Sequence, residues 1–211
     1  MATEPARLVL ITPLEFRPEE FARQLADALQ AADVAAVILD TSHEDPAVIR
    51  HAAQVLCPIA QERGAAFLIR DNPGLVREVG ADGIHVTTGG ASVRDAMTSF
   101  KPDLIVGAGD TTTRHAAMLL GEHQPDYVLL GRLEEEEDIP ATVTLVEWWT
   151  DLFQIPCVAL CTGDWSTTAE AVTAGADFIA LRDLVWADPA GAADAVLRAA
   201  TIAAQKSEVA A

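Results

Sequence analysis

Eight short apolar runs punctuate the chain: LVLIT (8–12), VAAVIL (34–39), AAFLI (65–69), GIHV (83–86), LIV (104–106), YVLL (127–130), CVAL (157–160) and FIAL (178–181). They are too continuous for strands with one wet face. Runs buried on both faces are what a parallel sheet needs. Between them the apolar period changes. In 18–31, Phe21, Leu25, Ala28 and Leu29 form an i, i+4, i+7, i+8 stripe behind Pro18, which predicts an amphipathic helix with proline in its first turn. In 46–62, Ile49, Ala52, Ala53, Leu56 and Ala60 repeat the stripe behind Pro46. The stretches 112–121, 142–153, 166–174 and 188–205 read alike, while 73–79 and 92–99 are shorter and weaker. Ser166 is the expected N-cap of the seventh helix, with Glu170 one place beyond the capping-box position.

A second pattern repeats at longer range. Ala or Pro followed by Asp precedes an apolar run at Asp33, Asp82, Asp103, Asp126 and Asp177. The long intervals are about twice the short ones, which suggests a unit of roughly 21–26 residues, enough for one strand, one helix and two loops. Strand and helix alternating eight times predict an α/β fold, a parallel eight-stranded (β/α)8 TIM barrel forming a single domain over 1–211. An open doubly wound sheet is the competing architecture. The near-equal units disfavour it, and no G-x-G-x-x-G follows the first run.

Charge narrows the partners. The chain of 211 residues carries 14 Lys and Arg against 32 Asp and Glu, a net charge of −18. That disfavours nucleic acid and anionic membrane, both of which need a basic surface. Cys57, Cys157 and Cys161 are too few and too far apart for a disulfide framework, and Cys157-x-x-x-Cys161 lacks a second ligand pair for zinc. No run reaches transmembrane length, and the N-terminus does not read as a secretory signal. A reduced, cytoplasmic protein is expected.

In a barrel of this kind the chemistry sits at the C-terminal strand ends. The candidates are therefore Thr12, Asp40, Arg70-Asp71-Asn72, Thr87-Thr88, Gly107 to Asp110, Gly131-Arg132, Cys161-Thr162-Gly163 and Arg182-Asp183. Thr162, Gly163 and Arg182 could bind phosphate through backbone N–H groups and a guanidinium fork; alternatively, Gly163 only permits a turn and Arg182 pairs with Asp183 or Asp164. Asp71 and Asp40 could share a divalent cation, or pair with Arg70 or Arg132. Asn72, Thr87 and Arg132 complete a ligand pocket. His85 lies within a strand and reads as a buried, satisfied histidine; His43 and His115 read as surface groups. The EEEED run (134–138) reads as a solvated loop. Of Trp148 and Trp149, one ring is expected on the barrel and the other partly exposed or against a second copy, as in a homodimer.

The segments LVLITP, LIRDN…VGADGIHV, IVGAG, PDYVLLG and IPCVAL…AVTAGADFIAL resemble, in order and over nearly the whole chain, thiamine-phosphate synthase and its relative the thiazole tautomerase. The resemblance implies a transferase of thiamine biosynthesis that joins a pyrimidine methyl diphosphate to a thiazole phosphate and releases pyrophosphate. It implies Mg²⁺ held by carboxylates after the third and fourth strands, with Arg70 and Asp71 as catalytic positions and Asp71 as metal ligand. The chain departs from the family pattern at several strand ends. Ile38-Leu39-Asp40-Thr41-Ser42 stands where the family has a Gln-x-Arg-x-Lys diphosphate grip, and Thr87-Thr88-Gly89-Gly90 where it has an acidic residue. Gly109 replaces a Ser, and EEEED replaces a Lys-bearing loop. Cys161-Thr162, with Gly163 next, replaces Gly-Gly, and Arg182 lies near a Ser position. One charged hydrogen bond in such a site contributes roughly 1.5–3 kcal/mol, so the loss of an Arg and two Lys bears directly on diphosphate binding. The tautomerase histidine has no counterpart in VGAGDTTTRH, where His115 lies too far along. Two readings follow. One is a thiamine-phosphate-synthase-like transferase. The other is a repurposed or catalytically inactive relative that binds a different small phosphate or carboxylate ligand, or serves as a regulatory or scaffold partner through its acidic surface and tryptophan pair.

Overall fold

A computed structural model describes residues 4–41, 45–132 and 139–205, with backbone alone at 139 and 140. His43 and the EEEED run lie outside the described residues. Strands β1 (Arg7–Ile11), β2 (Val34–Leu39), β3 (Ala66–Arg70), β4 (Gly83–Val86), β5 (Ile105–Thr111), β6 (Tyr127–Leu130), β7 (Cys157–Cys161) and β8 (Phe178–Leu181) form a closed barrel in chain order. Each pairs in parallel with its neighbours, and β1 closes on β8. The expected (β/α)8 barrel is the observed fold. Around it lie α1 (Pro18–Ala31), α2 (Pro46–Glu62), α3 (Pro73–Val79), α4 (Gly90–Phe100), α5 (Arg114–Gly121), α6 (Ile139–Leu152), α7 (Trp165–Thr173), α8 (Asp183–Trp186) and α9 (Ala192–Ala204).

The continuous apolar runs have a direct explanation, because each strand separates two cores. The inner core holds Val9, Ile11, Ala36, Ile38, Leu68, Leu129, Val158, Leu160 and Ala180. The outward residues, such as Leu8, Leu10, Val37, Leu39, Phe67 and Ile69, pack under the helices with Phe21, Leu25, Leu56 and Trp149. Trp149 is fully buried, and its Nε1 donates to the Ile155 carbonyl at 2.8 Å. Trp148 is partly buried and faces the Arg114 guanidinium at 5.2 Å.

Three local expectations need correction. The seventh helix, α7, is capped by Asp164, whose carboxylate accepts the Ser166 N–H at 2.7 Å; Ser166 lies inside the first turn. The last helical stretch, expected over 188–205, starts later, at Ala192 after Gly191 at φ 100, and a short helix, α8, precedes it. The fifth strand extends to Thr111, so Gly107 and Gly109 belong to the strand and not to a mouth loop. A β-carbon at Gly107 would stand 2.0 Å from Tyr127 Cζ, and one at Gly109 would stand 2.6 Å from His85 Cε1. Two large rings from β4 and β6 fill this part of the interior, and β5 makes room by carrying none.

The repeated Asp belongs to construction. Asp82, Asp126 and Asp177 precede β4, β6 and β8, and each carboxylate accepts a backbone N–H of the preceding strand: Phe67 at 2.7 Å, Val106 at 2.8 Å and Cys157 at 3.0 Å. They satisfy donors at the N-terminal rim, the end of such barrels associated with stability. Asp33 instead meets exposed Arg7, at 3.4 Å. Asp82→Ala is expected to lower stability in urea unfolding by about 1–2 kcal/mol, and Asp33→Ala by no more than about 0.5 kcal/mol. Equal losses from the two would refute this division of roles.

Candidate active site at the C-terminal strand ends

Strand parity builds the site. Ala36 and Ile38 of β2, Leu68 of β3 and Ala180 of β8 all belong to the inner core. Two residues further on, the same inward face carries Asp40, Arg70 and Arg182. The three side chains meet. Arg70 Nη1 donates to Asp40 Oδ1 at 2.9 Å, and Arg182 Nη2 donates to Asp40 Oδ2. The Asp40 side chain is 2% exposed, against 14% for Arg70 and 10% for Arg182. A carboxylate so buried needs its charge compensated, and the two guanidiniums provide that. The main chain of Asp40 is pinned as well: its N–H donates to Thr12 Oγ1 at 2.9 Å, and the Thr12 hydroxyl donates to its carbonyl at 2.5 Å.

Asp71 follows β3 in the left-handed region at φ 49. Its N–H donates to the His85 carbonyl at 3.0 Å. Its carboxylate accepts the Thr87 N–H at 2.8 Å and the Thr87 hydroxyl, and Oδ2 lies 3.4 Å from Arg70 Nε. Thr87 Oγ1 in turn accepts from Arg70 Nη2 at 3.3 Å. Arg70, Asp71, Thr87, Asp40 and Arg182 are thus one connected network. Asp71 also lines a groove of about 350 Å³ beside β4 and α4, together with Thr88, Ser92 and Asp95.

Other anticipated residues stand elsewhere in the rim. Arg132 Nε lies 3.6 Å from Asp110 Oδ1, on the β5–β6 side. Asn72 is the N-cap residue of α3 but makes no side-chain cap bond. Gly163 takes φ 78, and the Thr162 carbonyl accepts the Thr167 hydroxyl at 2.8 Å. Cys161 and Leu181 are register partners, so Thr162 and Arg182 leave neighbouring strand ends together. Of the ion-pair partners considered for Arg182, neither Asp183 nor Asp164 is the one it takes; its partner is Asp40, 142 residues away. That pair escapes inspection because β2 and β8 are far apart in sequence and are separated by β1 in the ring. Parity was the available signal, since each residue lies two places beyond an inward apolar one.

Comparison with known proteins places this arrangement in context. A family model described as "Thiamine monophosphate synthase" matches residues 8–185. The chain belongs to the thiamine monophosphate synthase family. It is 40% identical to a thiamine-phosphate synthase of Rhodospirillum centenum over 194 residues, covering 90% of this chain and 94% of that one. It is 38% identical to a thiamine-phosphate synthase of Hyphomonas neptunium, covering 90% of each. Among solved structures, thiamine phosphate pyrophosphorylase from Pyrococcus furiosus superposes with a TM-score of 0.79 at 20% identity, over 95% of this chain and 96% of that one. Orotidine 5'-phosphate decarboxylase from Pyrococcus horikoshii gives a TM-score of 0.67 at 15% identity, over 92% and 98%. Proteins named for different reactions share this barrel, so the fold alone selects none of them.

Among the described residues no three His, Cys, Asp or Glu side chains converge for a metal. Asp40 is committed to its two arginines. Asp71 is partly exposed, and a carboxylate has more lone pairs than the two Thr87 donors and Arg70 engage. It could offer Mg²⁺ a hard oxygen ligand.

Beneath the network, Arg70 pairs in register with His85, which is fully buried. Its Nδ1 lies 2.8 Å from the Tyr127 hydroxyl, while Nε2 has no hydrogen-bond partner. Burial first, and the Arg70 guanidinium second, push the imidazole pKa down to about 3; burial pushes the Tyr127 phenol well above its ordinary value. Both are neutral at physiological pH. The folded ring therefore resists a proton that the unfolded ring accepts below its ordinary value of 6.5. Stability is full above that pH and falls as pH drops towards about 3, by up to about 1.4 kcal/mol per unit from this group. In an NMR titration the His85 ring is expected to stay neutral from about pH 8 to about pH 4. A midpoint near its ordinary value would contradict this account.

Proposed function

We propose that the chain is a thiamine-phosphate synthase, a transferase that joins a pyrimidine methyl diphosphate to a thiazole phosphate with release of pyrophosphate. The observation carrying this reading is the 40% identity to the Rhodospirillum centenum thiamine-phosphate synthase along nearly the full length of both chains. The polar network at the mouth supports it. A departing diphosphate needs positive charge, and Arg70 and Arg182 both reach the inner rim. Thr162 and Gly163, at the end of β7, are suited to phosphate through backbone N–H groups, with Arg182 at the adjacent strand end. Asn72, Thr87 and Arg132 border the same mouth. Asp71 would hold Mg²⁺, which when bound neutralises the diphosphate as it leaves. In the reaction the methylene C–O bond breaks and its electron pair departs with the diphosphate. The thiazole nitrogen then supplies the pair for the new C–N bond. The protein's part is to bind both phosphates, fix the rings and keep the cationic pyrimidine from water.

A second reading is favoured by one observation. Two guanidiniums converging on a single carboxylate also suit a smaller phosphate or carboxylate ligand. A scaffold or homodimer role resting on the tryptophan pair loses one of its rings, since Trp149 is fully buried. The net charge of −18 supports a partner that is neither nucleic acid nor membrane. Among the described residues no helix is long and apolar enough to cross a membrane. All three cysteines are buried and none forms a disulfide, which supports a cytoplasmic location.

The test is direct. Purified protein given Mg²⁺ and the two precursors is expected to form thiamine phosphate, and Asp71→Asn to lower kcat/KM by at least about 100-fold through loss of the metal carboxylate. A well-folded wild type without turnover would transfer the reading to the smaller anionic ligand.

A further inference from the structure

We propose that Asp40 is an internal occupant of a phosphate site: its carboxylate holds the place between Arg70 and Arg182 that a phosphate group of a ligand takes. The inference rests on the reading of the barrel mouth as a phosphate-binding surface and goes beyond it by naming the group that competes for the site.

The geometry carries the argument. The two arginines come from β3 and β8, on opposite sides of β2 in the ring. Each gives a terminal nitrogen to a different oxygen of the same carboxylate, Arg70 at 2.9 Å to Oδ1 and Arg182 to Oδ2. A phosphate presents a similar pair of anionic oxygens and carries more charge. The arrangement also sets an order of access. Asp40 is almost wholly enclosed, whereas both arginine side chains keep some exposure. A ligand arriving at the mouth meets the arginines first. Thr12 holds the Asp40 N–H and carbonyl, so displacement of the carboxylate proceeds by rotation of the side chain. In the ligand-free protein the site is therefore formed and compensated, at the cost of affinity, since a bound phosphate must displace the carboxylate. Without Asp40, two largely buried cations would face each other, with Asp71 at 3.4 Å from Arg70.

Asp40→Asn tests this. It keeps the shape and removes the charge. With inorganic phosphate as the probe, no metal present and chloride matched for ionic strength, the variant is expected to bind phosphate at least about tenfold more tightly than wild type by calorimetry. Its Tm is expected to rise by at least about 5 °C more than that of wild type on adding phosphate. Adding Arg182→Gln to Asp40→Asn should abolish both gains. Equal phosphate responses in wild type and Asp40→Asn, or a gain that survives Arg182→Gln, would overturn the proposal. If Asp40→Asn does not fold, wild type answers by NMR: at saturating phosphate the side-chain N–H signals of Arg70 and Arg182 should shift together, and movement of neither or of only one contradicts the proposal. The thiamine phosphate assay separates the two readings. Turnover without a phosphate gain in Asp40→Asn removes this inference alone, and a phosphate gain without turnover removes the synthase reading alone.

Discussion

Closing eight parallel strands into a ring gives every strand one face towards the axis and one towards the helices, and side chains alternate between them. Most of the structure follows from it. Both faces must be apolar over the length of the barrel, which is why the strands read as unbroken runs and why the inner and outer cores contain alternate residues of the same segments. Where the apolar run ends, parity persists for one more step. At Asp40, Arg70 and Arg182 that step falls on charged side chains facing one another across a narrow, poorly hydrated opening. Their ion pairing is the condition under which three charges can occupy that place.

The two ends of the barrel use aspartate for different purposes. At the N-terminal rim, Asp82, Asp126 and Asp177 accept strand N–H groups that the ladder leaves unsatisfied. At the C-terminal rim, Asp40 compensates arginines, and Asp71, turned sideways by its left-handed backbone, holds Thr87. The first group repeats with the structural unit because the need repeats. The second does not repeat, because each position at the mouth meets a different set of neighbours. The same residue type thus separates into scaffold and site by its position along the strand.

The interior between these rims is filled unevenly. His85 and Tyr127 supply large neutral rings, and Gly107 and Gly109 give up their side chains to admit them. Keeping His85 neutral is consistent with its place below Arg70, where a second positive charge would disturb the network above. The family relationship and the barrel agree with this architecture, while the chemistry at the mouth depends on side chains that vary independently of the fold.

The amino-acid sequence by itself determined the eight strands, the places of the long helices, the closed parallel barrel and the kinship with thiamine-phosphate synthases. Those features depend on local periodicity and on motifs read in order, and the bounds of α1, α2 and α3 coincide with the apolar stripes and prolines that announce them. Sequence also named Asp40, Arg70, Asp71, Thr87 and Arg182 as strand-end residues. Only the tertiary structure decided who meets whom. Asp40 and Arg182 are 142 residues apart and become partners because the ring closes. Gly107 and Gly109 look like a mouth loop until the rings that need their space are in place. Pairings across a closed sheet depend on register and curvature, which no local pattern encodes, and for that reason the content of the site was legible in the sequence while its wiring was not.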